Sequence, residues 1–275
     1  MVKDIIKQQK FIMAPLLVFM SFTVFSAQEE TPTSDKKIIK EPSAAVSFKA
    51  RSDHDFLLTA DYYFLGKKID NNKSPGVIVL HDCHSQRSRY SELAKAISAQ
   101  SVHVLSLDFR GYGDSVASCF SQLEIKKQAK DIVSYQSEIA LITSYWADDL
   151  TAAHQFLRTK VDKSKGIAVV ASGCAAGYVV SMAEKTHLRA LVLLTPEMSY
   201  ADKERYKNLI DIPSYFISSA HHIASISTAQ ELFDWNGATR SKMQVFKGDR
   251  SNYKLIKANQ YLVNDVAQWL KFTLR

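Results

Sequence analysis

From residue 46 onward the apolar residues fall into two patterns. VSFKA (46–50) and FLLTADYYFL (56–65) place apolar side chains in alternation, the period of strands with one face on a core, and suit an antiparallel edge pair. A turn-rich stretch, KKIDNNKSP (67–75), ends this first pattern. Six short continuous apolar runs come next: GVIVL (76–80), VHVLSL (102–107), GIAVV (166–170), ALVLL (190–194), SYFIS (214–218) and MQVF (243–246). Runs of this kind fit strands buried on both faces of a parallel sheet. Helix-like segments lie between them, at 90–99, 145–159, 175–184, 228–235 and 261–272. The alternation predicts an α/β domain, a mostly parallel doubly wound sheet with an antiparallel N-terminal edge. Ligands of such sheets collect at the carboxyl ends of the strands, so the loops after each run are where function is to be sought.

The first residues are built on another plan. Lys3, Lys7 and Lys10 precede a fifteen-residue apolar run, 11–25, and the small residues Ser26 and Ala27 come after it. That order predicts a signal peptide over 1–27 and a periplasmic or secreted protein; an uncleaved N-terminal anchor is the alternative, and is the one way a membrane becomes a partner. Residues 28–45, rich in Glu, Thr, Ser, Lys and Pro, read as a mobile leader, and 46–275 as one domain.

Of the formal charge of +7, the N-terminal segment contributes a net +2, leaving a mild +5 on the rest. The basic residues are scattered, which argues against nucleic acid as a partner. Cys83, Cys119 and Cys174 lack metal-ligand spacing. His81, His84 and His103 with Asp82 make a poor metal site, because His103 falls inside a strand. The one Gly-x-Gly, in GYGDS (111–115), is not a nucleotide fingerprint, and no cofactor is implied.

Two segments carry a resemblance. LHDCHSQRSRYSELAKAISAQSVHVLSLDFRGYGDS (80–115) resembles the stretch of α/β-hydrolases in which a strand ends in His-Gly, a helix comes next, and the following strand ends in Asp-x-Arg-Gly-x-Gly-x-Ser; Asp108, Arg110, Gly111, Gly113 and Ser115 match. WADDLTAAHQFLRTKVDKSKGIAVVASGCAAGYVVSMAEK (146–185) is similar to the helix, strand and nucleophile-elbow helix of that family, especially its dienelactone-hydrolase-like and bacterial esterase-like members. The likeness continues to the C-terminus and implies the α/β-hydrolase fold.

By that resemblance the nucleophile belongs in Gly-x-Ser-x-Gly on a sharp strand-to-helix turn. Counting without gaps from GIAVV puts Gly173 there, and glycine has no side chain with which to attack. The acid's place falls on His222, where an imidazole cannot do a carboxylate's work, and the histidine's place on Ser251. The His-Gly of the oxyanion region becomes His81-Asp82, which brings an acid near the site of developing negative charge. The members of a triad act as a unit, so these replacements imply a non-catalytic pseudohydrolase that binds a small molecule or a partner protein. The competing reading shifts the elbow by one residue, takes Cys174 as nucleophile with His222 and Asp249 as base and acid, and gives a divergent hydrolase of esters or acyl compounds.

The same resemblance places Cys83 and Cys119 after adjacent strands and predicts a disulfide between them, with Cys174 free. Asp108 and Arg110 are structural by resemblance, and Asp148 and Asp149 suit a helix start. Tyr112, Phe120 and Tyr145 read as packing residues in preference to a pocket lining. Residues 116–144 lie where the family varies its substrate lid, and their mixed composition suits a short helical insertion.

Overall fold

The computed structural model describes residues 43–53, 55–65 and 74–275. The signal peptide and most of the leader and of the 67–75 turn lie outside the described residues.

Among the described residues, eight strands form one sheet in the order β1-β2-β4-β3-β5-β6-β7-β8. They are β1 Ser43–Lys49, β2 Leu57–Tyr63, β3 Gly76–Leu80, β4 His103–Leu107, β5 Ile167–Ser172, β6 Ala190–Leu194, β7 Ser214–Ser219 and β8 Lys242–Phe246. β1 pairs antiparallel with β2, and β2 antiparallel with β4; every later pairing is parallel. This is the mixed sheet that the alternation predicts. β1 begins at Ser43, so the last three residues assigned to the leader belong to the edge strand.

The continuous apolar runs result from burial on two sides. In β3, Ile78 and Leu80 join one core while Val77 and Val79 join the other, and β5 divides Val169 and Ala171 from Ala168 and Val170 in the same way. Helices α4 (Trp146–Arg158) and α5 (Ala175–Ala183) cover the first face, and α1 (Ser91–Ser98) and α9 (Gln260–Thr273) the second. α7 (Ile223–Trp235) starts five residues before its predicted beginning. In its first turn, IASIS, Ile223 is exposed and Ser225 buried, so hydropathy there does not mark the buried face.

α6 (Tyr200–Tyr206) and α8 (Asn252–Ala258) are not anticipated by the hydrophobic pattern. α6 is short and charged. It is held by Ser199, whose hydroxyl accepts from the Asp202 amide, and by one buried side chain, Tyr206, rather than by a periodic stripe. Residues 116–144 contain α2 (Gln122–Gln128), capped by Ser121, and α3 (Ile132–Ser144), which opens with a capping box between Asp131 and Ser134. α2 buries no side chain and α3 buries only Ile142.

Candidate functional site

β5 ends at Ser172 and α5 begins at Ala175, so two residues make the whole turn. A turn that tight needs a residue in the left-handed region, and Gly173 has φ of +53°, a conformation glycine adopts without a side-chain penalty. Its amide donates to Leu194 O at 2.9 Å, and its carbonyl accepts from Ala176 N and from Glu197 N. Gly173 thus occupies the apex of the turn. A Cβ there would lie 3.0 Å from Asn252 Oδ1 and 3.1 Å from Asp82 Cβ, closer than ordinary van der Waals contact.

Those two neighbours belong to one polar network under the turn. Asp82, two residues beyond β3, is buried; its Oδ2 accepts from Ser85 Oγ at 2.7 Å and from Tyr90 Oη at 2.8 Å, and its Oδ1 from His84 N at 2.9 Å. The Tyr90 hydroxyl also points at Ser172 Oγ, 2.8 Å away. Ser172 donates to Asn252 Oδ1 at 3.0 Å, which also accepts from Thr195 Oγ1 at 2.7 Å, while Asn252 N donates to Thr195 Oγ1 at 3.0 Å. Thr195 and Asn252 adopt positive φ of 45° and 54°. Burial, reinforced by Asp82 alongside, pushes the Tyr90 phenol well above its ordinary value. Tyr90 therefore serves this network as a neutral donor. Among the described residues around the turn, no hydroxyl or thiol is hydrogen-bonded to a histidine ring.

The cysteines pair differently from the prediction. Cys83 is bonded to Cys174, with their Cα atoms 5.9 Å apart, and Cys119 is free and exposed. β3 neighbours both β4 and β5, so strand adjacency alone allowed either partner. Loop length decides: Cys174 comes two residues after the end of β5, whereas Cys119 comes twelve after the end of β4 and is carried out to the surface. The bridge also corrects the alternative site, because a bonded Cys174 has no thiolate with which to attack.

His222 is the residue before α7 and makes no side-chain cap bond; its Nε2 lies 3.9 Å from Glu197 Oε1 and its Nδ1 is buried without a partner. Asp249 is exposed on the loop after β8, so the arrangement of Cys174, His222 and Asp249 does not assemble. Ser251 is the residue before α8, and its neighbour Asn252 is the one whose side chain reaches the turn. The left-handed backbone at Asn252, invisible to counting, turns that side chain inward.

The loops that frame this region are held by ion pairs. Asp108 accepts from Arg87 N at 2.8 Å and Asp114 N at 2.9 Å, and pairs with the Arg87 guanidinium, which also reaches Asp61 and Asp114. Gly113 lies so close to Asp108 that any side chain there would collide with the carboxylate. Arg110 is fully buried, grips Asp149 through Nε and Nη2 at 3.2 and 3.0 Å, and reaches Asp53 at 3.1 Å. Phe56, Phe120 and Tyr145 pack on its guanidinium. Asp149 is thus an ion-pair partner as well as a helix-start acid. Burial pushes its carboxyl up to about 6, against the pull of Arg110. His81 is buried with Nδ1 2.7 Å from Asp82 O, to which it donates, and Nε2 accepting from Phe109 N at 3.0 Å; burial holds it below the ordinary histidine value.

A parallel sheet with antiparallel β1 and β2, the crossing of β3 and β4, and a two-residue glycine turn after β5 together make a recognisable architecture. The domain has the α/β-hydrolase fold. A Pyrococcus furiosus esterase is similar over 85% of this chain and 93% of its own, at 17% identity and a TM-score of 0.59. The dienelactone hydrolase of Anabaena variabilis matches over 85% and 98%, at 13% identity and 0.56. A hyperthermophilic esterase of Pyrobaculum calidifontis matches over 86% and 87%, at 12% identity and 0.57. At these identities the likeness is one of α/β-hydrolase architecture. No protein-family model matches the sequence, and comparison with curated proteins finds no match.

Proposed function

We propose that this chain is an exported α/β-hydrolase-fold protein that has lost hydrolysis and works by binding a small molecule or a partner protein. One observation carries the reading: the apex of the turn after β5 is Gly173, and Asn252 and Asp82 close on the space a nucleophile's Cβ would need. An acyl-transfer site requires a nucleophile, a base within hydrogen-bond reach and donors aimed at the oxyanion. Here the apex offers no side chain, Cys174 beside it is bonded to Cys83, and among the described residues around the turn no hydroxyl or thiol is hydrogen-bonded to a histidine ring. The backbone regions that would supply oxyanion donors, the residue after the apex and the β3–α1 loop, are bolted together through Cys174 and Cys83.

The disulfide supports export, since such bonds persist in oxidising compartments. A panel of short- and medium-chain nitrophenyl esters tests the reading, with mass spectrometry of small molecules that copurify. No turnover above a heat-inactivated control is expected, and saturable turnover overturns it.

A further inference from the structure

A cavity of about 660 Å³ opens at the carboxyl edge of the sheet, beside the closed turn but without Gly173 or Cys174 in its lining. Its walls come from four places: the β3–α1 loop, the glycine loop after β4, the α2 region and Tyr253 in α8. The size falls within the range of small-molecule sites, and the carboxyl edge is where ligands of doubly wound sheets gather.

The charges of this lining have one sign. Arg89 and Lys126 both face it, with His84 beside them, and no Asp or Glu is among the lining residues. The acids close by in the chain are engaged elsewhere: Asp82 by Tyr90 and Ser85, Asp108 and Asp114 by Arg87, and Glu124 by Lys127. The Arg89 guanidinium carbon lies over the Tyr253 ring, 5.3 Å from its centre, a cation–π contact at the wall of the cavity, and its N–H groups suit a planar or tetrahedral anion.

The neutral lining adds groups that suit hydroxyls. Gln86 and Gln122 each commit Nε2 to a neighbour, Ser88 Oγ and Tyr135 Oη, both at 3.0 Å. Each amide still offers its carbonyl oxygen and a second N–H, and so can accept from or donate to a ligand hydroxyl.

We propose that this cavity binds a small hydroxylated organic anion, the chemistry of an acidic sugar. Arg89 and Lys126 receive the carboxylate or phosphate, and Gln86 and Gln122 accept from the hydroxyls. The proposal rests on the binding role inferred for the chain and names its ligand class.

Isothermal titration of the purified protein with galacturonate, glucose 6-phosphate and galactose tests it. At least one of the two anions is expected to bind at least about tenfold more tightly than galactose, the stronger naming carboxylate or phosphate as the natural group. Arg89→Glu and Lys126→Glu are each expected to weaken that binding at least about tenfold. Both side chains are exposed, so the melting temperature should stay unchanged. Equal binding of galactose, no binding of either anion, or charge reversals without effect would each overturn the proposal. Ester turnover in the separate assay would sink the non-catalytic reading and leave this titration to be judged by itself.

Discussion

Cys83 and Cys174 join the loop after β3 to the first residue of the turn beyond Gly173, closing 91 residues of chain at the point where a hydrolase of this fold would open its oxyanion hole. The bridge makes the closed turn a covalent feature as well as a packed one.

Peptide mapping without reductant should recover a linked Cys83–Cys174 pair and alkylate Cys119 alone. Replacing both bonded cysteines by alanine should lower stability by roughly 2–5 kcal/mol, since the released loop is long. A Cys83–Cys119 linkage would contradict the geometry.

Gly173→Ser should destabilise by roughly 1–3 kcal/mol, because the new Cβ sits at positive φ against Asn252 and Asp82. It should also fail to create esterase activity, read with nitrophenyl acetate beside a thermal melt. Turnover in this variant would mean that the rest of a catalytic apparatus is intact.

Asn252→Ala removes the acceptor shared by Ser172 and Thr195, both fully buried. A cost of roughly 1–3 kcal/mol is expected in urea unfolding. A neutral outcome would show that the network adds nothing to stability.

The pH dependence has a definite sign. Asp149 has a folded pKa raised to about 6, so the stability it contributes is complete below the ordinary carboxylate value and is lost as pH rises through about 6. His81, lowered by burial, acts the other way: its contribution is full above the ordinary histidine value and declines as pH falls below it. Comparing wild type with Asp149→Asn cancels His81. Between pH 4 and 7 the difference in unfolding free energy should move in favour of the variant by roughly 2–3 kcal/mol. Movement in favour of the wild type would refute the assignment.

The sheet was legible because strands buried on both faces leave continuous apolar runs, and β3, β4 and β6 bury every residue. Gly173 was legible for a local reason: a two-residue turn between a strand and a helix has a fixed register. Asn252 was not, because its approach to Gly173 depends on a left-handed backbone 79 residues away in sequence. The disulfide escaped for a similar reason, since β3 touches both candidate strands and only the path of the loops separates them. Tyr90 and Thr195 carry no motif, and their place in the network comes from packing alone. α6 and α8 escaped because seven-residue helices held by one cap, at Ser199 of α6, and by a few buried side chains leave no periodic stripe.

Whether the fold persists here without hydrolysis is decided by steady-state kinetics of the disulfide-intact protein on nitrophenyl acetate and butyrate, with Gly173→Ala as the control. Both proteins should show the same background rate and no burst. A saturable rate in the wild type that stoichiometric labelling of a serine or cysteine abolishes would contradict the loss of hydrolysis.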